Sequence, residues 1–457
     1  MTSQQTGAAL VGSAAINARI DRLPRWGLSR WVLVALGAAY FFAYFDITTM
    51  SVNLPSVETD LHVSLTATSL PITLNLVGYM VGAFALGSLA DYLGRRRALL
   101  GCVLILTVGA VLTAFSWNLA SLTAFRTVTG IGVGAQIAVA STWIGELSPA
   151  ASRGRNLGLA AILGGFGFLI PALLAIPFAH LGSAGWRLLF GLGALIVVVV
   201  PVLNGRLVPE SPRWLALHGQ QDAADRIVAG MERRCREVTG RDILPPPDVP
   251  ADEAPGAFPT LDLFRSYPLR LAMVFLWFFV LYMFAYSYLT YEPTLLGKLG
   301  ISAPNGILYT AIALGGFPIG AIIQSALADK VERKYLIGTG LAVQLIGVLL
   351  IATSHGAPTV VIGGFLFSLG DFPAVITGYS YAAEIFPTRA RASAMSLCDG
   401  LGHLGGALQP FIVVAILTGS GPHAVFWFMV ATCAAALLFI QAIARRTTGR
   451  SLTELAR

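Results

Sequence analysis

The sequence predicts an all-α membrane protein in which twelve transmembrane helices form two pseudo-symmetric six-helix bundles. Three observations predict this fold: an apolar composition, a regular succession of long apolar runs, and two motifs that recur at one fixed spacing. Of the 457 residues, 56% are hydrophobic and 12% are charged, and the mean hydropathy is +0.73. So few charges cannot cover the surface of a soluble protein of this length, so lipid must be the solvent for most of the chain.

Each apolar run holds about twenty residues, enough to cross the ~30 Å hydrocarbon layer as a helix that satisfies its own backbone hydrogen bonds. The predicted spans of the first half are residues 31–52, 70–90, 98–115, 119–142, 157–179 and 186–208, and those of the second half are 269–290, 305–328, 335–353, 359–382, 392–418 and 423–444. We therefore expect an N-terminal tail (1–30), a first bundle (31–208), a charged and proline-rich linker (209–268), a second bundle (269–444) and a C-terminal tail (445–457).

The net charge of +7 follows from membrane topology rather than from nucleic-acid binding. Basic residues cluster in every second connection, including 95–97, 153–155 and 330–334, whereas the connection 53–69 has acidic residues and no Lys or Arg. By the positive-inside rule, both tails and the linker lie in the cytoplasm of a multi-pass protein of the plasma (inner) membrane. The first span is too long for the core of a cleaved signal peptide, and we expect it to be retained.

No motif of an enzyme or of a cofactor site occurs. The sequence lacks a Gly-x-x-x-x-Gly-Lys-Ser/Thr phosphate loop, a His-Glu-x-x-His metal motif and a nucleophile elbow. Three of the four cysteines lie in apolar spans and Cys235 lies in the linker, without metal-like spacing. We expect reduced structural thiols, no catalytic residue, no cofactor and no metal.

Two motifs appear once in each half. GSLADYLGRRR at 87–97 corresponds to SALADKVERKY at 325–335, and ELSPAASR at 146–153 corresponds to EIFPTRAR at 384–391. The differences 325 − 87 and 384 − 146 both equal 238. Two motifs with one offset indicate a duplicated six-helix unit. In such an architecture, rocking of one bundle against the other exposes a central site to each side in turn.

The first copy of the first motif resembles the signature between helices two and three of the major facilitator superfamily. Its matching residues are Gly87, Asp91, Gly94, Arg95 and Arg96. PESPRWL at 209–215 and FRTVTGIGVG at 125–134 are similar to the branch that contains sugar porters, organic ion transporters and aromatic-acid symporters. The resemblance extends over all predicted spans and implies a transporter that usually works as a monomer.

Acids and arginines at the cytoplasmic helix ends are candidates for a gate. Charge-assisted hydrogen bonds between them could hold the two bundles together on that side. The candidate pairs are Asp91 with the arginines at 95–97, Glu146 with Arg153, Asp329 with Arg333, and Glu384 with Arg391. Alternatively, the arginines only retain the loops in the cytoplasm, although topology alone does not require the acids.

Ionisable residues inside spans cost a few kcal/mol, so each is a functional candidate. Asp46 lies in the first span and Arg126 in the fourth, both toward the outer side. The resemblance implies a role for them, because sugar porters and related symporters use an aspartate in the context YFDITTMS and an arginine in the context FRTVTGIG as the proton-coupling pair. Protonation of Asp46 would weaken its attraction to Arg126. A permanently ionised salt bridge, as in uniporters, is the alternative.

The second half offers candidates for substrate binding. Asp371 lies in the tenth span, and Asp399 and His403 are four residues apart in the eleventh, so these two share one helix face that we expect to line the cavity. The resemblance implies that organic cation transporters have an aspartate at the position of His403, whereas organic anion transporters and aromatic-acid symporters have an arginine. An imidazole there can respond to substrate charge or handle a proton. Alternatively, it bonds a helix carbonyl without a transport role.

Tyr282 and Tyr286 share a face of the aromatic seventh span, and rings with hydroxyl tips suit a flat ligand or a cation, or else they only pack. Val280 and Leu281 stand where the resemblance implies the paired glutamines of sugar porters, which disfavours a hexose. Further candidate contacts, unless they bond other helices, are Gln136 and Asn75.

These observations predict a secondary transporter that works by alternating access, with proton-coupled symport of a small organic ion or metabolite as the leading hypothesis. A proton-coupled antiporter that exports organic cations or drugs, and an uncoupled facilitator, stay open. The expected partners are a small-molecule substrate, protons and membrane lipid, with no nucleic acid and a monomeric chain.

Overall fold

The computed structural model describes residues 15–205, 207–240, 260–328, 330–354, 356–386 and 388–444, without the side chains of 260–262, 303–304, 383, 388–393 and 396. Within these ranges, twelve helices are long and apolar enough to cross a membrane, which confirms the predicted fold class. The helices of the first half are α1 (Arg30–Asp60), α2 (Leu65–Leu93), α3 (Arg95–Ala114), α4 (Leu119–Leu147), α5 (Arg153–Phe178) and α6 (Ser183–Asn204). Those of the second half are α7 (Pro268–Lys298), α8 (Ala303–Leu314 and Gly316–Leu327), α9 (Arg333–Ala352), α10 (Ala357–Glu384), α11 (Thr388–Ser420) and α12 (Pro422–Ile443).

The helix bounds repeat at the offset that the motifs gave. For α1 and α7, 268 − 30 and 298 − 60 both equal 238, and for α3 and α9, 333 − 95 and 352 − 114 give the same value. The two halves were therefore built from one helical unit, almost without insertions between the corresponding ends.

Small residues bring equivalent helices together in both halves. A Cβ atom at Gly78 of α2 would lie 2.3 Å from the carbonyl oxygen of Thr127 on α4, and a Cβ at Gly82 would lie 2.1 Å from that of Ile131. Adding 238 to Gly78 and Thr127 gives Gly316 and Phe365, and a Cβ at Gly316 of α8 would lie 2.5 Å from the Phe365 carbonyl on α10. Close backbone approach through glycine is a common way to pack helices in lipid, where no hydrophobic force drives them together.

Several helices are longer than their apolar runs. α1 continues to Asp60 and α7 to Lys298, whereas the predicted spans end at residues 52 and 290. The first helical turns beyond the hydrocarbon layer keep their backbone hydrogen bonds even where polar side chains begin. Because α7 is longer than its apolar run, Glu292 lies inside this helix and not in a loop.

The two halves meet along three helix pairs, α1 with α7, α2 with α11 and α5 with α8. Thr73 of α2 donates a hydrogen bond to the carbonyl of Ala407 on α11 at 2.8 Å, and Ser325 donates to the carbonyl of Arg155 at 3.3 Å. These hydrogen bonds join α2 to α11 and α8 to α5 across the boundary between the halves.

A small cluster outside the spans packs on the first half. Residues 15–21 form a helix that lies against the linker helix Gln221–Thr239 through Ile16, Ile20 and Met231. Arg19 forms ion pairs with Asp225 at 2.5 Å and with Glu232 at 3.0 Å. Burial alone would raise the pKa of Glu232, but its hydrogen bonds from arginine hold that pKa below the ordinary value. We call the side of the molecule that carries this cluster the linker face. The opposite side, where α1 ends at Asp60 and α7 ends at Lys298, is the far face.

The glycine contact between α2 and α4 gives a testable prediction. Gly82→Leu should lower the free energy of unfolding by about 1–3 kcal/mol, because its side chain has to push α2 away from the Ile131 carbonyl. Gly87→Leu on the same helix is the matched control, since a Cβ there has no atom within 4 Å. Thermal unfolding in one detergent measures both variants. A similar loss of stability in the two would show that the close contact is not the cause.

Candidate functional site

An ion pair inside the first half joins α1 and α4. Arg126 Nη1 donates to Asp46 Oδ1 at 2.5 Å, with only 2% of Arg126 and 4% of Asp46 exposed. The guanidinium carbon lies 5.3 Å from the centre of the Phe190 ring. Within the described residues, Asp46 Oδ2 and Arg126 Nε have no hydrogen-bond partner. The carboxylate is therefore neutralised by one cation but retains an oxygen free to accept a proton.

Asn75 and Gln136 each bond a neighbouring helix of the first half, Asn75 beside the ion pair and Gln136 farther along α4. Asn75 Nδ2 on α2 donates to the Arg126 carbonyl at 2.8 Å, and Gln136 Nε2 on α4 donates to the Ala39 carbonyl of α1 at 2.6 Å. In this conformation both amide groups hold helices together, which is the alternative that the sequence left open. The Gln136 oxygen has no partner within the described part of the chain.

In the second half, a carboxylate on α11 accepts two phenolic hydroxyl groups. Asp399 Oδ1 lies 2.5 Å from the Tyr282 hydroxyl on α7 and 2.7 Å from the Tyr379 hydroxyl on α10. These two hydroxyl oxygens are 2.6 Å apart. Because neutral donors satisfy the oxygen without cancelling its charge, Asp399 keeps a demand for a positive partner.

His403 lies between the two halves. Its ring is stacked on Tyr79 of α2 at a centroid distance of 3.9 Å and lies 4.0 Å from the Tyr282 ring of α7. Its Nδ1 is 2.8 Å from the carbonyl oxygen of Asp399 and 3.6 Å from Asp399 Oδ1. The predicted common face of Asp399 and His403 is thus confirmed, and the bond to a helix carbonyl is also present. Tyr286 is further away, 5.9 Å from the His403 ring.

A second group of rings closes the centre. Phe168 of α5 stacks on Tyr44 of α1 at 4.4 Å and on Phe317 of α8 at 4.0 Å, and Phe372 of α10 meets Phe317 edge-on at 5.8 Å. Phe168 of the first half therefore contacts Phe317 and Phe372 of the second half.

Asp371 does not join the Asp399 group among the described contacts. Gln344 Nε2 on α9 donates to Asp371 Oδ1 at 3.1 Å, and only 6% of Asp371 is exposed. In this conformation the Asp371 side chain therefore bonds a neighbouring helix, and its role as a substrate contact stays a prediction.

Sequence reasoning missed two residues of the site, Tyr79 and Tyr379, and one further buried acid, Glu292. Tyr79 follows Asn75 by one helical turn, and this spacing could have indicated that both face the interior. Tyr379 lies among other aromatic residues and gave no separate signal. Glu292, which bonds Tyr288 on the same helix, was missed because the predicted seventh span ended two residues earlier.

At the linker face of the first half, one predicted ion pair forms and the other has a different partner. Arg95 bonds Asp91 at 2.7 Å, as predicted, and also bonds Glu146 at 2.8 Å. Arg153 bonds Asp21 at 2.9 Å, so Glu146 pairs with Arg95 and not with Arg153. The reason is geometric, because the ends of α3 and α4 lie side by side.

The second half repeats this arrangement. Arg333 bonds Glu384 at 3.2 Å, and 333 − 95 and 384 − 146 both equal 238. Asp329 and the Arg391 side chain lie outside the described residues. Within the described residues, the pairs of Arg95 with Glu146 and of Arg333 with Glu384 each join helices of one half and so brace that half.

The signature loop has a second acid as partner. Glu210 accepts the backbone N–H groups of Arg95 and Arg96 at 3.0 and 3.2 Å, where the positive end of α3 favours an anion. Gly94 has φ +92° and a Cβ there would lie 2.6 Å from Glu210 Oε2, so glycine is needed. The Arg96 guanidinium donates to the carbonyl of Val208.

Comparisons with known proteins agree on one family. The family model described as "Sugar (and other) transporter" matches residues 32–457. The putative metabolite transport protein YyaJ of Bacillus subtilis is 27% identical, over 90% of this chain and 91% of that protein. The niacin transporter NiaP of Acinetobacter baylyi is 26% identical, over 96% of this chain and 98% of that protein. A partially occluded, inward-open structure of the xylose transporter XylE from E. coli has a similar fold, with a TM-score of 0.72 at 20% identity over 92% of this chain and 98% of that one.

The buried ion pair predicts a non-additive pair of variants. Arg126→Met leaves the Asp46 carboxylate without its cation, and such losses cost about 3–5 kcal/mol. The double variant Asp46→Leu/Arg126→Met removes both charges and should recover most of that loss. Thermal unfolding of the purified variants measures the difference. If the double variant is no more stable than Arg126→Met, the two charges do not compensate each other.

Proposed function

Because the chain belongs to the sugar (and other) transporter family of the major facilitator superfamily, whose members are secondary transporters and not enzymes, we propose that it is a proton-coupled symporter of a small organic ion or metabolite. The bundles 31–208 and 269–444 rock about the central rings, and the proton and the substrate cross together.

The observation that supports coupling is the buried pair of Asp46 and Arg126. Asp46 Oδ2 has no partner within the described residues, so a proton can bind there while Oδ1 faces the guanidinium. Protonation removes most of the attraction to Arg126 and frees α1 from α4. Loss of the proton on the other side restores the pair and resets the carrier.

The proposed substrate site is the group formed by Asp399, His403, Tyr282 and Tyr286, extended here to Tyr379. Ring faces and hydroxyl groups suit a flat molecule, and Asp399 favours a neutral or positively charged one. Two relatives are named as metabolite and niacin transporters, and the fold neighbour as a xylose transporter. We favour a metabolite with a flat aromatic ring over a hexose, because Val280 and Leu281 replace the glutamines that the family resemblance implies for sugars.

We place the linker face in the cytoplasm of the inner membrane, with both termini on that side and a monomer as the transporting unit. The basic residues at this face support the orientation. The bracing pairs formed by Arg95 with Glu146 and by Arg333 with Glu384 keep each bundle rigid while the bundles move as bodies.

A proton-coupled antiporter that exports organic cations is the second candidate. The charges of the interior favour an antiporter, because buried acids outnumber buried cations at the same depth within the described spans. Arg126 is the buried cation at this depth, and the buried carboxyl groups are those of Asp46, Glu292, Asp371 and Asp399. Such an excess of acids attracts positive substrates. Uptake into vesicles with an acidic or an alkaline interior separates the two, because a symporter and an antiporter respond oppositely to the proton gradient.

A ligand screen tests the substrate site. Sugars, aromatic acids, vitamins and organic cations are added to the purified protein, and thermal unfolding is followed. A ligand at 100 times its Kd should stabilise the protein by about 2.7 kcal/mol. We expect a flat neutral or cationic ring compound to act, and Asp399→Asn to remove its effect. Asp91→Asn, on an acid at the linker face, is the control that should keep it. A response that survives in Asp399→Asn would exclude Asp399 from the site.

Asp46→Asn tests coupling. The variant cannot gain or lose a proton at this position, so accumulation of the ligand driven by a pH gradient should disappear, while exchange of labelled for unlabelled ligand should continue. The matched control is Asp60→Asn, because Asp60 lies on the same helix and bonds Arg187 at 2.5 Å near the far face. Accumulation that persists in Asp46→Asn at the level of Asp60→Asn would contradict the coupling role.

A further inference from the structure

Glu292 is a buried acid that the proposed mechanism does not use. It lies in the part of α7 near the far face, and 3% of its surface is exposed. Tyr288, one turn earlier on the same helix, donates its hydroxyl to Glu292 Oε1 at 2.7 Å. The Tyr288 ring in turn stacks on Phe367 of α10 at 3.9 Å.

The internal repeat relates this site to the ion pair of the first half. Adding 238 to Arg126 and to Asn75 gives Gly364 on α10 and Ala313 on α8. A Cβ at Gly364 would lie 2.4 Å from the Tyr288 hydroxyl, 2.7 Å from the Ala313 Cβ and 3.2 Å from Glu292 Oε1. Glu292 and Tyr288 thus fill the place that corresponds to the Arg126 side chain. Each half therefore has one acid from its first helix facing the same position of its fourth helix.

The two sites differ in charge. Asp46 faces a guanidinium, whereas Glu292 faces a glycine and has no ion pair within the described residues. Of the elements packed around α7, α10 presents Gly364 and Phe367, and α8 has no acidic or basic residue between residues 305 and 327. At the far face, α1 carries Glu58, which faces Lys298, and α12 begins beside His423. Tyr288 is the titratable group in contact with Glu292, and the cation nearest in sequence, Lys298, lies at the end of α7 on the far face. A buried carboxylate without a cation is costly, so the carboxyl group is neutral while it stays buried.

The helix is weak at this point. Pro293 has no backbone N–H, so the carbonyl of Leu289 lacks its usual helical donor. The Tyr288–Glu292 hydrogen bond spans the same turn and holds it together from the side. Loss of that bond leaves the segment 293–298 attached through an interrupted turn, which can bend.

We propose that Glu292 is a second proton-binding site, distinct from Asp46, which is protonated while the far face is closed and releases its proton to solution when the end of α7 swings away. In the release step the carboxyl O–H bond breaks, the electron pair stays on the carboxylate, and the proton goes to water at the far face. The closed form then carries one proton more than the open form. Acid at the far face closes this side, and alkaline solution opens it, independently of coupling at Asp46.

Cysteine accessibility tests the proposal. Thr294→Cys places a thiol on the buried side of the segment, where 8% of Thr294 is exposed and its hydroxyl has no partner within the described residues. Gly297→Cys is the reference on the same segment, since a Cβ there meets no atom within 4 Å. The ratio of the two reaction rates with a water-soluble thiol reagent cancels the titration of the thiol itself. The rate of the parent chain, whose described cysteines are buried, is subtracted.

We expect the ratio to rise with pH by up to tenfold per unit in the range where the open and closed forms differ by one proton. In the Asp46→Asn background, which removes the other proposed proton site, Glu292→Gln keeps an acceptor for Tyr288 but cannot ionise, and its ratio should be low and constant with pH. Asp46→Asn should retain the rise of the rate ratio with pH. The test of Glu292 therefore does not depend on whether Asp46 couples transport to protons. A constant ratio with Glu292 present, or an equal rise in Glu292→Gln, would overturn the proposal.

Discussion

Charge inside the lipid layer has to be paired or neutral, and this constraint organises the whole interior. The protein meets it in three ways: Arg126 pairs with Asp46, phenolic hydroxyl groups hold Asp399, and a single neutral donor contacts each of Asp371 and Glu292. Only the first of these cancels the charge within the protein. The others leave a demand for a proton or a cationic ligand, and such a demand is what a transporter can use.

The duplication explains why these sites lie where they do. One helical unit, repeated at 238 residues, gives both halves the same close glycine contact between the second and fourth helices and the same brace at the linker face. The copies differ in their buried polar side chains. Gly364 of the second half, for example, stands at the position of Arg126. Backbone contacts are under the same packing constraint in both halves, whereas the buried side chains are free to take separate roles.

Within the described residues, aromatic rings form much of the contact between the two halves. His403 lies between Tyr79 and Tyr282, and Phe168 stacks on Phe317 across the same boundary. Stacked rings slide and separate at little electrostatic cost, while the ion pairs at the linker face keep each half rigid. This division suits a carrier whose two bodies have to part and close in every cycle.

The sequence by itself determined the fold class, the twelve spans, the duplication and most of the interior ionisable residues, because hydropathy and a fixed repeat are local signals that need no knowledge of contacts. It also gave the common face of Asp399 and His403, since helical periodicity alone sets it. Only the tertiary structure decided which side chains form hydrogen bonds and ion pairs with each other. Glu146 bonds Arg95, and Asp371 bonds Gln344. Tyr379 donates a second hydrogen bond to Asp399. Which side chains meet depends on how helices distant in sequence pack, and no local pattern contains that information.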